Sequence, residues 1–236
     1  MPLSFVPYAV LAAVHLVVLV GGFGGAAVTV TKLLLMPALA LAVLWSARHR
    51  RRPATIALLL AAILLSWAGD AALTGSGATW FVAGLLCFLA AHVVYVVLFL
   101  RESRGSGRFP AWTAVYVAWY AGFLSLLAPH LGALFAPVAV YGLVLGAMAV
   151  LAGRVGGLVA VGGALFVVSD TVLALGRFLP GYEFPAHDLV VMSTYLAAQG
   201  VIAFGVLRRS RDRANSLSSS ASDAPVSTAA PTTDRS

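Results

Sequence analysis

Apolar residues dominate the chain in runs of roughly 20, broken by short clusters of glycine, proline or arginine. This pattern predicts helical spans at 5–22, 27–46, 54–72, 79–100, 111–128, 133–152, 157–176 and 187–207, eight in all. A hydrocarbon core of about 30 Å takes about 20 helical residues per crossing. The expected class is therefore an all-α, polytopic integral membrane protein with a transmembrane domain over residues 1–207.

The polar breaks fall into two alternating sets. Gly21–Gly25, Thr74–Thr79, Pro129–Gly132 and Arg177–Ala186 form one, and Arg48–Arg52, Arg101–Arg108, Arg154 and the stretch from Arg208 form the other. The second set holds nearly all the arginine. An excess of Lys and Arg marks the cytoplasmic side, so both termini are expected there, in a multi-pass protein of the cell membrane. Residues 208–236 are rich in Ser, Ala, Thr and Pro and have almost no large apolar side chains, which predicts a disordered cytoplasmic tail. An offset of 100 residues pairs Pro37 with Pro137, Asp70 with Asp170 and Tyr95 with Tyr195. That register predicts two halves of four spans each in the same orientation, a parallel 4+4 internal repeat.

Composition narrows the function. Hydrophobic residues make up 61% of the chain and charged residues 10%, far from a soluble protein. The formal charge of +7 sits in the connections, where it orients the chain, and does not point to nucleic acid. The single cysteine, Cys87, excludes an internal disulfide. Met1–Ser4 has no basic segment of the kind that opens a cleaved signal, so 5–22 is expected to remain as the first span. No nucleotide loop, nucleophile elbow or metalloprotease motif occurs, and His15, His49, His92, His130 and His187 show no ligand spacing. Neither a cofactor nor a metal is expected.

Asp70 and Asp170 stand out as the acidic residues inside apolar segments. A charge near a bilayer centre costs about 2.5 kcal/mol or more, so such a group faces protein or trapped water. Counting along the spans puts both in the outer half of the membrane, at a depth overlapping Lys32, His92, Tyr95, Tyr195 and Gln199. His92 with Tyr95, and Tyr195 with Gln199, share helix faces at i, i+3 and i, i+4 spacing. Each residue also has a plainer reading. Asp70 suits a helix end, Lys32 a side chain reaching for headgroups, and the others interhelical hydrogen bonds. On the sharper reading the two carboxylates face one polar chamber. Two neighbouring carboxylates do not both ionise cheaply, so one keeps a proton while the other accepts one, which supplies a general acid and a general base.

Five blocks, in this order, resemble the YhhN-like lysoplasmalogenase family of eight-span membrane hydrolases. They are TKLLLMP at Thr31–Pro37, SWAGD at Ser66–Asp70, FVAGLLCFLAAHVVY at Phe81–Tyr95, GALFVVSDTVLALGRF at Gly163–Phe178 and VMSTYLAAQG at Val191–Gly200. Leu33 departs from the pattern, where a proline is expected. The resemblance implies a lysophospholipid substrate drawn from membrane lipids, and hydrolysis of a vinyl ether to a fatty aldehyde and glycerophosphocholine or glycerophosphoethanolamine. Asp70 and Asp170 would then be catalytic, without assignment of acid and base, and Lys32, His92, Tyr95, Tyr195 and Gln199 would bind substrate. The competing expectation is a proton-coupled transporter or small permease, for which intramembrane acids and a parallel repeat are ordinary features.

Overall fold

The computed structural model describes residues 3–48, 52–103 and 110–222. Residues 49–51 and 104–109, within two of the basic connections, and 223–236 of the tail lie outside the described residues, as do Met1 and Pro2. Among those described are eight α-helices and three short 3-10 turns, with no strand. The helices are α1 Val6–Val20, α2 Gly25–Ala47, α3 Pro53–Ala72, α4 Ala78–Glu102, α5 Ala114–Leu131, α6 Phe135–Val155, α7 Gly157–Phe178 and α8 His187–Ser222.

Among the described residues, seven stretches are long and apolar enough to cross a membrane, and one of them, Ala111–Val155, is 45 residues long. That stretch contains both α5 and α6, which fold back on each other. Tyr120 donates to the Ala139 carbonyl at 3.1 Å, and Trp112 before α5 lies against Gly153 near the end of α6. Gly132 makes the turn between them at φ 51°, a left-handed conformation that costs glycine little.

Two prolines act at opposite kinds of site. Pro53 opens α3, where a missing N–H costs nothing because the first helical N–H groups have no intrahelical partner. Pro37 lies inside α2 and cannot donate to the carbonyl one turn before it, that of Leu33. The indole N–H of Trp67 on α3 takes that role, donating to the Leu33 carbonyl at 2.9 Å. A local defect in α2 is thus repaired from α3, beside Lys32.

Small residues let the second half pack closely. A Cβ on Gly163 would come within 2.8 Å of the Ala152 Cβ and 3.2 Å of the Ala149 Cα on α6. On the adjoining face of α7, a Cβ on Gly162 would meet Ile202 of α8 at 2.5 Å. Such contacts drive helix association where the solvent is itself apolar. The main core joins α1, α2, α3, α4, α6, α7 and α8, and Tyr8 ties α1 to α8 by donating to the Leu196 carbonyl at 2.7 Å.

Three sequence expectations change here. First, α8 continues through residues 208–222, so helix replaces coil over the start of the expected tail. No Gly or Pro interrupts those residues, and a helix already nucleated by packing propagates at one hydrogen bond per residue. Second, the 100-residue offset does not carry over to the helices. Pro37 is deep in α2 whereas Pro137 is in the first turn of α6, and Asp70 is in the last turn of α3 whereas Asp170 lies more than a turn further from the end of α7. Third, a further carboxylate is buried. Glu102, at the end of α4, is 2% exposed and accepts from Arg52 at 3.1 Å and from the Thr55 hydroxyl at 2.7 Å. Its position beside Arg101 makes it look like part of a solvated loop when only neighbours in sequence are considered.

Candidate active site

The polar side chains inside the bundle form two groups. The first joins α2, α3, α4 and α8. Asp70 is 2% exposed; Lys32 Nζ is 3.5 Å from its Oδ1, and the Tyr195 hydroxyl donates to its Oδ2 at 2.7 Å. One turn away on each helix the pairing repeats, because Ser66 precedes Asp70 and Gln199 follows Tyr195 by four residues. Gln199 Nε2 donates to Ser66 Oγ at 2.9 Å, and the Tyr95 hydroxyl donates to Gln199 Oε1 at 2.6 Å. Asp70, Ser66, Tyr95, Tyr195 and Gln199 are all buried, so their polar atoms satisfy one another.

The second group joins α4, α5, α6 and α7. The Tyr141 hydroxyl donates to Asp170 Oδ2 at 2.5 Å. His92 Nε2 lies 3.7 Å from the same oxygen, outside direct hydrogen-bonding range. Beside them, Trp119 Nε1 donates to the Thr171 hydroxyl at 3.0 Å, which fixes α5 against α7. The His92 ring is held edge-on between Phe166, with centroids 4.9 Å apart, and Tyr141, at 5.3 Å.

Asp170 opens onto a cavity of about 40 Å³, enough for more than one water at the ~10–15 Å³ each requires. Its other walls are almost wholly apolar, including Phe81, Leu85, Phe88, Phe123, Leu145 and Phe178. Two rings stand between this cavity and the first group. Phe88 lines the cavity and meets the Tyr195 ring edge-on at 5.8 Å, and Phe166 touches both His92 and Tyr195. Phe88 fits because Gly69, next to Asp70, has no side chain; a Cβ there would be 2.7 Å from the Phe88 ring.

Of the residues singled out from sequence, Lys32, Asp70, Tyr95, Tyr195 and Gln199 come together, while His92 and Asp170 meet elsewhere. The two carboxylates, expected in one chamber, lie in two adjoining groups, and among the described residues no hydrogen bond is seen between those groups. The reason lies in α4, whose His92 and Tyr95 share a face but reach different neighbours, α7 and α8. Sequence reasoning passed over Tyr141 and Ser66. Tyr141 did carry a signal: tyrosine in spans collects at the membrane interface, so one well inside a span needs a buried partner for its hydroxyl.

A carboxyl group with a hydroxyl donor and an imidazole beside it, at the edge of an apolar cavity, is equipped to give up or accept a proton. A model of the YhhN family matches residues 27–206. The human protein named lysoplasmalogenase TMEM86B is 38% identical over 152 residues, covering 64% of this chain and 64% of its own length. Its rat counterpart is 36% identical over 154 residues, covering 64% of this chain and 62% of its own. The lysoplasmalogenase of Mycobacterium tuberculosis (strain CDC 1551 / Oshkosh) is 39% identical over 157 residues, covering 62% of this chain and 59% of its own. The chain thus spans a little under two thirds of the length of these curated relatives. No solved structure matches it. With the five sequence blocks and both polar groups inside the matched residues, the chain belongs to the YhhN family.

Proposed function

We propose that this protein is a multi-pass membrane hydrolase that cleaves the vinyl ether bond of lysoplasmalogens. The observation that carries the proposal is Asp170, held by Tyr141 beside His92 and opening onto an apolar cavity, in a chain similar to several proteins named lysoplasmalogenase. Counting α5 and α6 separately gives eight crossings, with both termini on the arginine-rich, cytoplasmic side.

The chemistry divides the two carboxylates by their partners. Asp70 is ion-paired with Lys32, whereas among the described residues Asp170 has only the Tyr141 hydroxyl and the His92 ring beside it, and we assign it the proton. Asp170 protonates the β-carbon of the vinyl ether, leaving an oxocarbenium ion and an Asp170 carboxylate. The Tyr141 hydroxyl stabilises that carboxylate by donating to it, an interaction stronger in the transition state than before it. Water captures the cation and returns a proton to Asp170. The hemiacetal then transfers its hydroxyl proton, through His92 or Asp170, to the glycerol oxygen and collapses to a fatty aldehyde and a glycerophosphodiester, either glycerophosphocholine or glycerophosphoethanolamine. Lys32 and Tyr195 hold Asp70, Tyr95 and Gln199 tie in Ser66 one turn away, and together they close the site on the α8 side.

Purified protein in detergent is expected to release aldehyde from lysoplasmalogen, and Asp170→Asn to abolish that release while expression and elution volume stay the same. Full turnover by Asp170→Asn removes the mechanism. Solute uptake into proteoliposomes without hydrolysis favours the transporter reading instead.

A further inference from the structure

We infer that Arg177, at the rim of the Asp170 cavity, is the binding site for the phosphate of a lysophospholipid; the inference rests on the hydrolase reading above. The cavity extends from Asp170 towards the helix ends remote from the arginine-rich connections, where Phe81 at the start of α4 and Phe178 at the end of α7 line it together. Their rings pack edge to face with centroids 5.7 Å apart. The Arg177 guanidinium lies over the Phe81 ring, 4.7 Å from its centroid, which holds the cation beside a residue that lines the cavity.

Stacking uses the face of a guanidinium and leaves its N–H edge for an anion, and a phosphodiester accepts two such donors in parallel. The register of α7 supports the same assignment. Arg177 follows Asp170 by two helical turns, hence on the same face and about 10 Å along the axis. In a lysoplasmalogen the glycerol backbone separates the vinyl ether from the phosphate, and that backbone with an extended arginine side chain spans the interval. Lys32, the cation expected from sequence to bind substrate, is 3.5 Å from Asp70 and only partly exposed. Arg177 is exposed, so a headgroup in the interface reaches it without entering the bundle.

The test is calorimetric titration of the purified full chain with three probes. These are a 1-alkyl lysophosphatidylcholine, whose saturated ether is inert to this chemistry, the matching 1-alkylglycerol without phosphate, and glycerophosphocholine without a chain. The wild type is expected to bind the lysophospholipid best. Arg177→Gln is expected to weaken that binding about tenfold or more, as loss of a charge-assisted pair requires, and to leave 1-alkylglycerol binding unchanged. Arg177→Lys keeps the charge but not the fork and is expected to fall between.

Equal losses for both chain-bearing probes, or no loss, overturn the inference. Binding of glycerophosphocholine as tight as that of the lysophospholipid overturns its lipid part. Wild-type aldehyde release is scored separately. A protein that shows the expected binding pattern without turnover keeps the phosphate site and loses the hydrolase reading, and turnover with no effect of Arg177→Gln does the reverse.

Discussion

Replacing Tyr141 by phenylalanine removes one oxygen and keeps the ring. The lost interaction is the hydroxyl donated to Asp170 Oδ2 at 2.5 Å, whereas the edge contact with His92, at 5.3 Å between centroids, remains. Hydrogen bonds to charged groups are worth about 1.5–3 kcal/mol. Asp170 becomes a carboxylate only as the proton leaves it, so most of that energy belongs to the transition state and appears in kcat. At 1.36 kcal/mol for each factor of ten, kcat is expected to drop roughly 10- to 150-fold, with a small change in KM. Tyr120→Phe is the matched control. It removes the same atom from a hydroxyl that donates to the Ala139 carbonyl at 3.1 Å, between α5 and α6, and is expected to leave kcat within about twofold. Aldehyde formation from lysoplasmalogen is followed in detergent by reduction with a coupled alcohol dehydrogenase. A Tyr141→Phe protein with wild-type kcat and melting temperature refutes the proposed role of Asp170 as proton donor supported by that hydroxyl.

Lys32→Met strands Asp70 in the bundle and is expected to cost about 3 kcal/mol of stability, while adding Asp70→Asn recovers part of the loss; thermal unfolding of both single variants and the double variant checks this, and strictly additive effects contradict the ion pair. Glu102→Gln keeps an acceptor for Thr55 but gives up the charge facing Arg52, so it is expected to lower stability by about 1–2 kcal/mol and leave turnover unchanged. Reduced activity at normal stability shows that the contact matters to the site. Gly69→Ala places a methyl 2.7 Å from the Phe88 ring, which has to shift into the cavity or push α4 away from α3. A loss of about 1–3 kcal/mol together with reduced turnover is expected, and an unaffected enzyme shows that Phe88 does not shape the site.

The helices were legible in the sequence because a bilayer imposes a length on every crossing. Runs of apolar residues, bounded by Gly, Pro or Arg, place seven of the predicted spans within a few residues of the helices observed, from Pro53 opening α3 to Gly132 turning the chain between α5 and α6, and match the start but not the end of α8, which runs on to Ser222. The cost of a charge in hydrocarbon likewise made Asp70 and Asp170 conspicuous without any structure, and i, i+4 spacing put Tyr195 and Gln199 on one face.

Partners were another matter, because sequence spacing describes one helix at a time. His92 and Tyr95 share a face of α4, yet one reaches Asp170 on α7 and the other Gln199 on α8; only the packing of three helices around Phe166 separates them. Tyr141, Ser66 and the Trp67 indole acquire their roles in the same way, from acceptors far away in the chain. Periodicity determined which residues lie inside the membrane. Close contacts at Gly69, Gly162 and Gly163, where the absence of a side chain sets the distance between helices, decided which of them meet.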